Sequence, residues 1–375
     1  MQWSLILIPL MGQLCFIKCY MYEYKYIKRK MNWTEAQKYC RENHSDLATV
    51  TNMTDVKRLN QTAKQRLSWQ RPAWIGLKKH TNRERTWHWS LPRLSVSKTK
   101  THWRWGEPNN DNNDGSDLCV LLMKNLTWID DPCNKEQHFI CYNESNVSQK
   151  FHLIENPLNW TNAQRYCREN HTDLISGLQQ LNQLNQSWNE DMKKKLEEVS
   201  YVFIGLFSDV WAWSDESSFS LRNWDPQSDR GNGQHECAVL TDNGMWNTHD
   251  CSEQIPFICY EDHVILINES RTWEEALYYC RHHHHDLVTI TNLDEQRWVQ
   301  EKTKKATTPY VWTGLRYTCT LGFWFWVSDE VVRYKNWASP GTVNECDMSG
   351  AMETGGEHKW VKKHDEEKFN FFCSK

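Results

Sequence analysis

Apolar residues recur three and four apart in the segment Trp33-Thr-Glu-Ala-Gln-Lys-Tyr-Cys40, where Trp33, Ala36, Gln37 and Cys40 fall on one side of a helical turn. The pattern predicts a short helix that buries an indole and a cysteine, with Asn32 or Thr34 available to cap its start. Further along the period changes to two. Trp87-x-Trp89 places two indoles on one face of a strand, and Gly76 within Trp74-Ile-Gly-Leu lets another strand pass close to its neighbour. These elements describe a small mixed α+β domain.

The same succession occurs three times. Trp33 to Leu47 returns as Trp160-Thr-Asn-Ala-Gln-Arg-Tyr-Cys167 to Leu174 and as Trp273-Glu-Glu-Ala-Leu-Tyr-Tyr-Cys280 to Leu287. Each copy continues with Trp74-Ile-Gly76-Leu, Phe203-Ile-Gly205-Leu or Trp312-Thr-Gly314-Leu, and then with Trp87-x-Trp89, Trp211-x-Trp213 or Trp324-x-Trp326. The copies close on Phe139-Ile-Cys141, Phe257-Ile-Cys259 and Phe371-Phe-Cys373. Units of this length, each with its own terminal Cys, predict three self-contained domains rather than a solenoid.

Composition sharpens this picture. The chain has 375 residues, 22 Trp and 14 Cys, which suits packed sheet cores and an oxidising compartment. A net charge of −4 with 25% charged residues excludes a global field for nucleic acid or an anionic membrane. The apolar run Leu5 to Leu10 predicts a secretory signal over residues 1–19, and no stretch approaches the eighteen or so apolar residues of a membrane-spanning helix. Eleven Asn-x-Ser/Thr sequons, ten of them before residue 190, agree with a secreted glycoprotein.

The helix Cys, the Trp-Ile-Gly-Leu segment, the spacing Trp128-x4-Cys133 and the closing Phe-x-Cys, repeated in order, resemble the C-type lectin-like domain family of the mannose-receptor type. The resemblance implies three tandem domains, at 20–143, 148–260 and 262–375, each with two short helices, small antiparallel sheets and a long ligand-carrying loop region. It also implies two disulfides per domain: Cys40 to Cys141 and Cys119 to Cys133, then Cys167 to Cys259 and Cys237 to Cys251. The spacing of the cysteines alone does not choose among connectivities. In the third copy Cys280 and Cys373 match the outer pair and Cys346 matches the first inner Cys, while Asp365 stands in place of the second. An extra Cys319 then allows a rerouted Cys319 to Cys346 bridge, or two free thiols.

Candidate chemistry lies in the first copy. Glu107-Pro108-Asn109, Asp117 and Asp130 bring oxygen-bearing side chains from two loops, the donor type that Ca²⁺ takes in sets of six to eight. Pro108 is expected to fix the loop, as a cis bond after Glu107. In the family such a triplet goes with sugars of the mannose class, so Glu107, Asn109, Asp117 and Asp130 are the expected residues for both calcium and carbohydrate. Ile129, however, stands where the family supplies an Asn, and Asp117 replaces a longer Glu. A polar turn over residues 109–114 without an ion is the alternative. The second copy lacks the triplet and reads Trp246-Asn247-Thr248, and the third offers Trp360-Val361-Lys362, so neither is expected to hold calcium. The run His282 to His285 reads as a solvated helix end rather than a zinc tract. Trp103 and Trp105 are candidates for stacking on sugar rings, against the core packing common to tryptophans in these repeats.

Binding is therefore expected rather than catalysis, since no nucleophile, base and orienter recur together. The leading reading is a secreted carbohydrate-binding protein, with calcium-dependent recognition of mannose-type glycans in the first domain. The alternative is a calcium-independent array of degenerate domains for protein ligands.

Overall fold

The structure is a computed structural model and describes residues 21–64, 72–80, 85–91, 94, 96, 101–109, 118–146, 148–187, 194, 198–228, 235–339 and 346–375. The expected signal segment lies outside the described residues. The first repeat supplies β1 (Tyr22–Met31), α1 (Trp33–Asn43), β2 (Asp46–Leu47), α2 (Met53–Lys64), β3 (Ala73–Lys79), β4 (Thr86–Trp89), β5 (Leu118–Met123), β6 (Trp128–Pro132) and β7 (Glu136–Tyr142). The second supplies β8 (Phe151–Asn159), α3 (Trp160–Asn170), β9 (Asp173–Leu174), α4 (Gly177–Ser187), β10 (Tyr201–Asp209), β11 (Trp211–Trp213), β12 (Cys237–Leu240), β13 (Trp246–His249) and β14 (Ile255–Asp262). The third supplies β15 (Val264–Arg271), α5 (Trp273–His283), α6 (Leu293–Lys302), β16 (Tyr310–Thr318), β17 (Phe323–Trp326), β18 (Met348–Glu353), β19 (Trp360–His364) and β20 (Phe369–Ser374).

In each repeat the opening strand leads into a capped helix whose leading Trp is buried. Asn32 caps α1 in a reciprocal box with Glu35, Asn159 accepts from the Asn162 amide at α3, and Thr272 with Glu275 repeats the box at α5. The indole N–H groups of Trp33, Trp160 and Trp273 donate to the carbonyls of Ile75, Ile204 and Thr313, each the residue before the repeat's Gly. A Cβ on Gly76 would stand 2.9 Å from the Leu47 carbonyl oxygen, so the close strand passage read from the sequence is a steric requirement.

Two compact units divide the chain, one spanning Tyr24–Glu261 and the other containing Asp262–Lys375. In the second unit the third repeat closes on itself. Its sheet runs β15-β20-β16-β18-β19, and β17 folds back on β16 with Leu315 opposite Trp326 and Thr318 opposite Phe323. A core of Trp273, Leu287, Trp312, Phe369 and Phe371 fills it.

The first unit differs from the expectation of self-contained domains, because the first and second repeats exchange halves. One sheet joins β1, β2 and β3 of the first repeat to β11, β12, β13 and β14 of the second, and the other joins β4 to β7 with β8, β9 and β10. The strand that should fold back on β3 is supplied by β11, with Leu77 opposite Trp213, and β10 receives β4, with Leu206 opposite Trp89. Both pairings reproduce the Leu315–Trp326 register of the third repeat. The connector explains the exchange. Only Val210 separates β10 from β11, whereas even the tightest hairpin loop needs about two residues. Folding back within the repeat would unpair Ser208 and Asp209 from β4. Short hinge segments of this kind favour swapping.

Disulfides follow the sheets. The structure joins Cys40 to Cys259 and Cys141 to Cys167, which corrects the expected Cys40–Cys141 and Cys167–Cys259 pairs. The physical reason is that β2 lies on β14, with Leu47 opposite Cys259, and β9 lies on β7, with Leu174 opposite Cys141. The inner bridges Cys119–Cys133 and Cys237–Cys251 form within one repeat, as does Cys280–Cys373.

In the third repeat Cys319 bridges Cys346, as rerouting required. Cys346 is nevertheless not the counterpart of the first inner Cys. Cys119 faces Asp131, Cys237 faces His249 and Ser349 faces Lys363, so Ser349 occupies that register. Asp365 does stand for Cys133 and Cys251, since the amides of Trp33, Trp160 and Trp273 donate to the carbonyls of Cys251, Cys133 and Asp365. A buried hydrogen bond from Ser349 Oγ to Asp365 Oδ1 (2.6 Å), with Arg316 on Oδ2 (3.1 Å), replaces the covalent link.

Two predictions follow from these contacts. Arg222 holds Asp209 beside the connector through bonds of 2.7 and 3.2 Å, with both side chains buried. Asp209→Ala leaves that guanidinium without its counter-charge and should lower unfolding free energy by about 3–5 kcal/mol, measured by denaturant titration; a loss near zero contradicts the clamp. The double variant Ser349→Cys with Asp365→Cys should form a third bridge in the last repeat. Thiol counting on the denatured chain should then find neither new Cys free, and two reactive thiols would refute the register.

Candidate functional site

The candidate site sits on the composite fold made from the back half of the first repeat and the front half of the second. Trp103 forms a bridge to Trp128 at the start of β6, fixed by Arg104 N–H donating to the Trp128 carbonyl (2.9 Å) and Trp128 N–H to the His102 carbonyl (2.8 Å). The chain then turns over Arg104-Trp105-Gly106-Glu107, closed by Glu107 N–H on the Arg104 carbonyl at 2.9 Å. Gly106 has φ +86°, the left-handed value that the third position of a type II turn requires. A cis bond joins Glu107 to Pro108. Asp130 arrives from the other side, opposite Val120 on the β5–β6 ladder.

The two carboxylates converge on one amide. Asn109 N–H donates to Glu107 Oε2 at 3.1 Å and to Asp130 Oδ1 at 3.0 Å, and Asn109 Nδ2 donates to Glu107 Oε1 at 3.2 Å. Glu107, Asn109 and Asp130 are thus brought together, while Asp117 lies outside the described residues. Burial pushes the Glu107 carboxyl above the usual carboxylate range and Asp130 pushes it further, opposed by the Asn109 amide and the Arg104 charge. Like charges held together in this way form a hard-oxygen donor set that suits a divalent cation. Ile129 adds no oxygen; its side chain packs on the core around Cys119, Phe139 and Trp160. Arg104, which the motif gave no reason to single out, supplies the positive charge beside Glu107.

The equivalent positions of the other repeats carry different chemistry. Asp130 opposite Val120 becomes Thr248 opposite Ala238 and Lys362 opposite Gly350. In the second repeat Asp225 is engaged by Asn243 Nδ2 (2.9 Å) and by the Gln227 amide (2.9 Å). His284 ends α5 with its amide on the Cys280 carbonyl, and burial, then His283, lowers its pKa below the usual imidazole value. Among the described residues no three His, Cys, Asp or Glu side chains are gathered as metal ligands.

Trp103 and Trp105 have opposite fates. Trp103 packs between Trp87 (ring centroids 4.9 Å) and Trp128 (5.7 Å), a triad repeated by Trp211, Trp224 and Trp246 and by Trp324, Trp337 and Trp360. Trp105 is 98% exposed.

Known proteins share the repeated unit. The Lectin C-type domain family matches residues 29–143, 156–261 and 269–375. Human C-type mannose receptor 2 is 23% identical over 375 residues, covering 85% of this chain and 24% of the receptor. Human secretory phospholipase A2 receptor is 22% identical over 382 residues, covering 84% and 25%. L-selectin of Bos taurus is 33% identical over 126 residues, covering 32% of each. The chain therefore spans between about a quarter and a third of the length of these relatives. Among solved structures, human lithostathine (27% identity, TM-score 0.27) covers 29% of this chain and 80% of its own. The matched domains are binding modules rather than enzymes, and lectin domains of this kind generally bind Ca²⁺ and glycans. Among the described residues no helix is long and apolar enough to cross a membrane. With three matches spanning most of its length, the chain belongs to the C-type lectin domain family.

Proposed function

We propose that the chain is an extracellular glycan-binding protein whose first repeat recognises mannose-class sugars through calcium. The observation that carries this reading is the meeting of Glu107 and Asp130 on the Asn109 amide, one carboxylate from a loop and one from strand β6. Glu107, Asn109 and Asp130 would hold the ion, with Asp117 as the fourth expected ligand. The bound cation would supply Lewis acidity toward vicinal sugar hydroxyls. The carboxylates accept, and the Asn109 amide donates, hydrogen bonds from and to the same hydroxyls. The other two domains extend reach or add valence.

A second reading has its own support. Lys362 at the register of Asp130, and Thr248 in the second repeat, suit calcium-independent contact with protein ligands. A glycan array probed with the full chain in calcium and in chelator separates the readings. The first predicts mannose-class binding that chelator abolishes and that Glu107→Gln lowers at least tenfold. Binding indifferent to chelator contradicts it.

A further inference from the structure

Trp105 is the one tryptophan among the described residues that lies open to solvent, at 98% exposure. Its backbone lies in a hydrogen-bonded turn. The turn Arg104 to Glu107 is closed by a backbone hydrogen bond, Gly106 rather than Trp105 takes the left-handed φ, and the preceding residue pairs along β6. The side chain stands two residues before Glu107. Counting from the packed triad tryptophans Trp103, Trp224 and Trp337, the equivalent positions in the other repeats are Pro226 and Ser339. An aromatic thus occurs here only in the loop that also brings two carboxylates together.

We propose that Trp105 is a stacking platform for a second hexose, so that the first repeat reads an oligosaccharide of at least two rings rather than a single sugar. The two groups recognise different parts of a sugar. Hydroxyl oxygens go to a cation, whereas an indole face packs on the C–H face of a ring. A lone exposed Leu would need no explanation. An indole held out by a hydrogen-bonded turn gives a large, flat contact at little conformational cost on binding. The inference rests on the calcium-dependent reading above and adds to it the size of the ligand.

The test uses the full chain, calcium, and two probes: methyl α-mannoside and an α-linked mannobiose, each titrated by calorimetry. Trp105→Ala should leave calcium affinity and monosaccharide affinity unchanged and weaken the disaccharide about fivefold to tenfold. Trp105→Phe should recover most of the loss. Equal disaccharide binding by the wild type and Trp105→Ala overturns the inference while sparing the calcium reading. Joint loss of calcium, monosaccharide and disaccharide binding in Trp105→Ala also overturns it, since the residue would then serve the loop's fold. A wild-type chain that binds neither probe overturns both.

Discussion

A single residue between two strands governs how the first two repeats are built. Val210 joins β10 to β11, and a chain cannot reverse within one residue while keeping both strands at the observed length. Six positions separate Gly205 from Trp211, against ten between Gly314 and Trp324 in the repeat that closes on itself. The strand therefore runs on into the neighbouring sheet. Arg222 holds this path in place, bonded to Asp209 on one side of Val210 and to the Trp211 carbonyl on the other.

The exchanged and self-closed repeats share an Arg–Asp pair whose Arg also reaches a carbonyl at the end of the Trp-x-Trp strand. In the third repeat Arg281 pairs with Asp286 and donates to the Val327 carbonyl, next to the Ser that closes the Trp-x-Trp strand. Across the exchange Arg41 pairs with Asp46, which takes the Ser214 hydroxyl from the second repeat, and Arg168 pairs with Asp173, which takes Ser90 from the first. Burial raises the Asp46 carboxyl, and Ser214, Arg41 and the Leu47 amide offset it. Since Asp46–Ser214 in one half matches Asp173–Ser90 in the other, these contacts do not distinguish the two connectivities, whereas the connector does. The consequence for function is direct. The loop carrying Glu107 and the strand carrying Asp130 belong to a sheet completed by β8 and β10 of the second repeat, so the candidate site depends on the second repeat for its sheet and its outer disulfide.

Much of this was legible in the sequence, for local reasons. The helix face through Trp33 and Cys40, the Trp-x-Trp strands and the inner pair Cys119–Cys133 depend on short-range spacing, which one copy displays in full. The partners of Cys40 and Cys167 were not legible, because two near-identical closing strands compete for each and only three-dimensional proximity distinguishes them. Ser349 was hidden by a different effect. Cys346 is the nearest remaining Cys in the sequence, whereas the cross-strand register fixes the counterpart three residues later. At the site, Glu107, Asn109 and Asp130 were readable from the loop motif, while the exposure of Trp105 beside the half-buried Trp103 depends on the four-residue turn Arg104 to Glu107.

That the fold bearing Glu107 and Asp130 is shared between two repeats is tested most directly by non-reducing peptide mapping of the intact chain. The shared fold predicts cross-linked peptides joining Cys40 to Cys259 and Cys141 to Cys167. Peptides joining Cys40 to Cys141 and Cys167 to Cys259 would contradict it.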